Sequence, residues 1–239
     1  MNQFIAETSF WELFPQAELG IVIVSGINNN SDACAAREEI IENLAAANQT
    51  AKKYIDKGTL SECRVISVWR DAFQKFKKKK GNRSSIEALL SRVQKGNEVG
   101  AINPLVDLYN TMSLTYGLPC GGEDLDKLAG TLRLTVSKNG GENFIAIGDT
   151  ENDPTLAGEL CYLDDQGAVC RCWNWRDGVR TMLTEQSTSA FLIFESVDPE
   201  RHEDLAAAVD ALAEAVPKYL GGEVKVQKIL NQKDTTIIL

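Results

Sequence analysis

Three observations predict an α+β fold. Helical periodicity dominates the first half of the chain, β-rich runs separated by turn residues follow Gly117, and one helix and one strand close the sequence. The expected form is one compact domain over residues 1–239, with a mixed or antiparallel sheet flanked by helices. Residues 1–83 would form an N-terminal strand and helical extension, and residues 197–239 a C-terminal helix and strand.

Residues 18–26 are rich in β-branched side chains and end in glycine before Asn28, Asn29 and Asn30, the pattern of a buried strand and turn. Ser31 or Asp32 then caps a long helix with Ala35, Ile40, Ile41, Leu44 and Ala47 at helical spacing, and Gly58 closes that region. Residues 60–76 predict a second helix with Val65, Val68, Trp69, Ala72, Phe73 and Phe76 on one face. Residues 84–93 predict a third and 103–116 a fourth. Short β runs follow at 131–137, 143–147, 158–163, 169–173 and 189–195. Asn139-Gly140-Gly141 and Asp164-Asp165-Gln166-Gly167 have the composition of hairpin turns. Asp198-Pro199 starts a helix that Gly221-Gly222 stops, and residues 223–230 alternate as a late strand.

The 239 residues are enough to bury a substantial core, and 44% apolar with 25% charged residues is a globular composition. No apolar run approaches the roughly 18 to 20 residues that a membrane helix needs. The first ten residues lack a basic segment followed by an apolar one, so the expected location is the cytoplasm. A net charge of −9 argues against a general nucleic-acid coat protein. That charge is uneven: residues 1–80 carry +1 and the remainder −10. Lys77, Lys78, Lys79 and Lys80, with Lys75 and Arg83, cluster at the expected end of the second helix. A solvated helix end and a phosphate-backbone contact explain them equally well.

Six cysteines without a C-x-x-C pair imply reduced thiols, no metal site and no cofactor. Cys170 and Cys172 alternate on an expected strand, so both sulfurs would face one way; two small core residues are the simpler reading. Trp173 and Trp175 would likewise share a face, as core or lid. His202 is the single histidine and sits in an acidic helix start, which disfavours Ser-His-Asp and Cys-His chemistry.

Three stretches carry a resemblance. Residues 102–110 read Ile-Asn-Pro-Leu-Val-Asp-Leu-Tyr-Asn and run on to Met112, Gly117 and Pro119. Asp124-Leu125-Asp126-Lys127-Leu128-Ala129-Gly130 follows, then Thr184 to Thr188 leading into Leu192-Ile193-Phe194-Glu195-Ser196. In order and spacing, residues 84–196 resemble the B3/B4 editing domain of the bacterial phenylalanyl-tRNA synthetase β-subunit. The synthetase's catalytic and anticodon-binding modules have no counterpart, so the chain resembles a freestanding relative. The resemblance implies a site that hydrolyses an amino acid wrongly esterified to tRNA, with the tRNA acceptor end as partner and no DNA or membrane. It places Asn110 at the pocket and Glu195 against the noncognate side chain. Arg176-Asp177-Gly178 stands where the family has a Gly-Gly pair.

Two departures bear on the substrate. Gly121 replaces a family histidine, and Tyr109 replaces a small hydroxyl residue beside the asparagine. The segment 170–176 has no clear counterpart and would remodel the pocket. An aminoacyl ester is already activated, so a positioned water and donors for the oxyanion suffice. Backbone N–H groups of Gly121, Gly122 and Gly178 in glycine turns suit that task. If Glu195 is buried, it needs a donor such as Arg171, Arg176 or a ligand amine. Two other readings stay open: a module that binds an amino acid or small metabolite without chemistry, and a tRNA-binding accessory protein.

Overall fold

The computed structural model describes residues 3–55 and 58–239. A short strand β1 (Gln3–Ala6) and helix α1 (Thr8–Leu13) precede β2 (Glu18–Ser25). Helices α2 (Arg37–Thr50), α3 (Arg64–Ala72), α4 (Ser85–Gln94) and α5 (Pro104–Tyr116) follow. Strands β3 (Cys120–Asp124), β4 (Leu132–Val136), β5 (Leu160–Asp164), β6 (Gly167–Arg171), β7 (Arg176–Asp177) and β8 (Ser189–Ser196) fill the second half. The chain closes with α6 (His202–Leu220), β9 (Glu223–Leu230) and β10 (Thr236–Ile238). The architecture is α+β, with two sheets and flanking helices.

One sheet is mixed and runs β10-β1-β4-β5-β6-β7, with β1 parallel to β4. The other is antiparallel and runs β3-β8-β2-β9. Period-two alternation on β2 and β8 divides the core. Leu19, Ile21 and Ile23 pair with Glu195, Ile193 and Phe191 and share one face. That face packs with Phe4, Leu132, Leu134, Leu160 and Tyr162 of the mixed sheet. Val22, Val24, Leu192 and Phe194 face the other way, onto Ile40, Leu105, Leu108, Leu205, Val209 and Leu212 of α2, α5 and α6. Gly20 permits the close approach of α6, because a Cβ there would lie 2.4 Å from Val209 Cγ2.

Several elements differ from the sequence reading. Residues 60–76 do not form one helix: a 3₁₀ turn spans Leu60–Glu62, and α3 stops at Ala72. Phe73 and Phe76 turn into the core, and the lysines that follow would repel one another at helical spacing. Lys77 to Lys80 therefore lie in a connecting loop and complement no helix dipole. Residues 143–147 make only an isolated bridge, Ala146 to Gly178. Asn152 takes the Phe144 N–H, which diverts that backbone from a ladder. β1, α1 and β3 had no counterpart in the reading. Two-residue glycine content hid β3, which is held by pairing with β8.

The expected strand at 169–173 ends at Arg171. Cys172 and Trp173 take φ values of +46° and +61°, conformations that L-residues adopt at a cost and only where surroundings impose them. Here a buried ion pair does so. Arg171 Nε and Nη2 donate to Glu159 Oε1 and Oε2 at 2.8 and 2.6 Å, and Cys172 N–H donates to Glu159 Oε1 at 3.1 Å. The Cys170 and Cys172 sulfurs consequently diverge: Cys170 faces the space between the sheets, and Cys172 receives the Asn82 amide.

Candidate functional site

Between the two sheets, at the β3 end, lies a narrow pocket of about 430 Å³ in total empty volume. Its walls come from β3 and β8 on one side and from β4 to β7 on the other, with Ser85 at the start of α4 and Trp173-Asn174 closing it.

Glu195 is its most constrained acid. It is 2% exposed on β8, and its carboxylate accepts hydrogen bonds from the Tyr162 hydroxyl and the Asn174 amide. Burial pushes its carboxyl up to about 7, against the lowering effect of those donors. The positive-φ turn at 172–173 brings Trp173 and Asn174 to this carboxylate. The Trp173 indole N–H also lies close enough to lower the Glu195 pKa but makes no hydrogen bond of normal geometry.

Two further carboxyls line the pocket, Glu123 on β3 and Asp177 on β7. Burial raises both, and the charge of Asp177 adds to the rise at Glu123. Buried polar atoms are normally paired. Among the described residues, four buried side-chain atoms have no hydrogen-bond partner, and three belong to pocket residues: Ser85 Oγ, Glu123 Oε2 and Trp173 Nε1. The fourth, Thr181 Oγ1, lies beside Glu123.

Of the residues singled out from sequence, Glu195, Gly121 and Gly122 meet at this pocket. Gly121 and Gly122 lie in β3 rather than in a turn, and neither has positive φ. Glu195 N–H donates to Pro119 O, so two residues on the Gly121 N–H is also turned toward β8. Gly122 N–H points to the opposite edge, where Asp124 N–H donates to Thr181 O. Tyr109 on α5 sits near Asp177, Cys120 and Glu123, whose charges, after burial, push its phenol well above the ordinary range.

The others are elsewhere. Asn110 is buried on α5 and is not among the residues that line the pocket. Arg176 points outward, to Asp149 at 3.0 Å. Gly178 N–H bonds Val169 O, beside Phe144. Lys79 pairs with Asp153, and Lys78 borders a separate groove with Asn82, Arg83 and Ser84. His202 pairs with Glu18 on the surface. Sequence reasoning missed Tyr162, Glu123 and Asp177 as pocket residues, and expected of Asn174 only that its segment would remodel the pocket. Glu123 and Asp177 adjoin the quoted motifs and were within reach; Tyr162 carried no signal.

Cys120, Cys161, Cys170 and Cys172 are buried thiols, with Cys172 pushed up to about 12 by burial, while Cys34 is half-buried. In native protein, a thiol reagent should label Cys34 first, and mass mapping of the first adduct to any of those four would contradict this packing.

Comparison with known proteins bears on the whole arrangement. The B3/4 domain family matches residues 68–217. An N-terminal fragment of the phenylalanyl-tRNA synthetase β-subunit from Pyrococcus horikoshii is similar in structure, with a TM-score of 0.52 at 11% identity. The similarity covers 97% of this chain and 55% of that one, so the chain spans about half of the fragment. At that identity the likeness is one of fold. No curated protein matches the sequence. Residues 68–217 make up more than half of the sequence and include β3, β8 and the pocket between the sheets, and the chain belongs to the B3/4 domain family.

Proposed function

We propose that the protein acts on aminoacyl-tRNA and hydrolyses a mischarged aminoacyl ester, with the aminoacyl group held between the sheets. The observation that carries this reading is Glu195: a carboxyl buried among apolar walls, gripped by Tyr162 and Asn174, in a chain of the B3/4 family. Water adds to the ester carbonyl, and collapse of the adduct releases the amino acid and the ribose hydroxyl. Glu195 recognises the side chain, and Tyr109 borders the site. Gly122 N–H, on the β3 edge that Glu123 and Asp124 join to Met182 and Thr181, is the backbone donor for the oxyanion. The reading gives Asn110, Arg176 and Gly178 no contact with the substrate. Residues 1–239 act as one unit, and unbridged buried thiols suit a reducing cytoplasm.

Deacylation of a panel of mischarged tRNAs tests the reading. Glu195→Gln should change which ester is hydrolysed and raise KM more than it lowers kcat, because a side-chain contact acts in ground and transition state alike. No hydrolysis of any aminoacyl-tRNA by the wild type would overturn it. The net charge of −9 favours a second reading, a module that binds an amino acid without tRNA.

Lys77, Lys78, Lys79 and Lys80 support tRNA binding in this reading, since they form a cluster of like charge in a connecting loop of an otherwise acidic chain. Changing all four to Ala should leave the melting temperature nearly untouched, because the Lys79–Asp153 pair is exposed on both sides. It should weaken tRNA affinity and flatten its dependence on salt in a graded-salt shift assay. Unchanged affinity and slope would retire the loop as a binding element.

A further inference from the structure

We propose that Glu123 and Asp177 form a seat for a primary ammonium group, so that the pocket admits ligands with a free amine and rejects their N-acylated forms. In the deacylase reading, on which this naming of the substrate rests, the ammonium is the free α-amino group of the aminoacyl ester.

The pocket holds three carboxyls, Glu123, Asp177 and Glu195, and no lysine, arginine or histidine among its lining residues. Glu195 has two donors of its own. Glu123 does not: it is 6% exposed, its Oε2 has no hydrogen bond of normal geometry, and the nearby Thr181 hydroxyl only partly offsets the effect of burial. The arginines that flank the site are committed elsewhere. Arg180 is bidentate to Asp164 at 2.7 and 2.8 Å, and Arg176 pairs with Asp149. A buried carboxyl without a donor is costly, and removal of that cost by a bound partner is a source of affinity.

The partner must supply positive charge and several donors to acceptors on different strands, β3 and β7. An alkylammonium does so with three N–H groups around one atom. The aromatic rings of Tyr162, Trp173 and Phe191 in the same walls favour an organic cation over a hydrated one. Among the described residues no acidic cluster has the arrangement of a metal site. Burial keeps Glu123 and Asp177 easy to protonate in the empty pocket, which relieves their mutual repulsion until a cation arrives. Acylation of the amine removes the charge and leaves a single N–H, so one carboxyl would stay buried and unpaired. The pocket would thereby separate aminoacyl esters from peptidyl and formylated ones.

Calorimetric titration tests the seat without tRNA. The probes are L-alaninamide, L-tyrosinamide and L-lysinamide, each with its N-acetyl counterpart. At least one free amide should bind, and its N-acetyl form should bind at least about tenfold more weakly. Glu123→Gln, which keeps size and removes charge, should weaken the free amide by about 10- to 100-fold and leave the N-acetyl form unchanged. Asp177→Asn serves as a second variant, with melting curves of both as the folding control. Equal affinity for the two forms, no binding of any free amide, or no effect of either variant would overturn the seat. Deacylation assays separate this outcome from that of the wider reading. Equal hydrolysis of an aminoacyl-tRNA and its N-acetyl form would keep the deacylase and overturn the seat. Amine-selective binding without hydrolysis would keep the seat and overturn the deacylase.

Discussion

Glu159→Ala should lower the melting temperature by about 10 °C. Both Glu159 and Arg171 are fully buried, and the carboxylate also takes the backbone N–H groups of Cys172 and Leu156. Removing one partner of a buried ion pair costs roughly 3–5 kcal/mol, because the other charge is left unpaired. For a chain of this size each kcal/mol is worth about 2–4 °C. Asp153 compensates in part, since its backbone carbonyl and carboxylate still reach Arg171 at 2.6 and 3.0 Å. The pair also imposes the positive φ values of Cys172 and Trp173, so its loss should release the turn that presents Asn174 to Glu195. Near-ultraviolet circular dichroism should then show a change in tryptophan packing. A double replacement by apolar residues, Glu159→Leu with Arg171→Met, should recover part of the lost stability. A single-variant melting shift under about 2 °C would mean that the pair is not the anchor of this turn.

The second large effect is a pH dependence at Glu195. Its carboxyl rises from 4.5 to about 7 in the folded protein, so the native state holds that proton more tightly than the unfolded chain. Stability from this group therefore falls as pH rises between those two values, and the full cost stands above pH 7. The cost is on the order of 3 kcal/mol. Glu195→Gln removes the ionisation, so relative to wild type the variant should gain about that much between pH 5 and pH 8. Urea titrations of both proteins at the two pH values read the difference. A gap between variant and wild type that does not move with pH would refute the assignment. The expected loss of substrate discrimination alongside a gain in stability at pH 8 is the trade made where a buried charge serves binding.

Much of the fold was legible because its signals are local. Residues 18–25 announce β2 by an unbroken β-branched run, and Asn103-Pro104 with Gly117 bracket α5 by cap chemistry: the Asn103 side chain accepts from Val106 N–H, and Gly117 takes φ +62°. The hairpin at 164–167 and the helix after Pro199 are read the same way. β3 was not legible, since a strand containing Gly121-Gly122 has no intrinsic preference and exists by pairing with β8. The end of α3 was misplaced because apolar spacing continues past Ala72 while charge repulsion and core packing turn the chain away.

For the site, the motif order was enough to single out Glu195 and the Gly121-Gly122 segment, and those three residues do line one pocket. The α+β class, the resemblance to the family and an acid at the end of an apolar strand could be read from the sequence, which left the burial of that acid open. Only the tertiary structure decided what surrounds that acid. Asn110 looked close through a motif, yet it is not among the residues that line the cleft. Tyr162 carried no signal and Asn174 lay in a segment expected only to remodel the pocket, yet they converge on Glu195 from 33 and 21 residues away. The physical reason is that strand pairing sets which residues oppose each other across two sheets, and a buried Arg171–Glu159 pair sets the turn that aims Asn174. Both depend on contacts between segments distant in sequence, which local propensity does not encode.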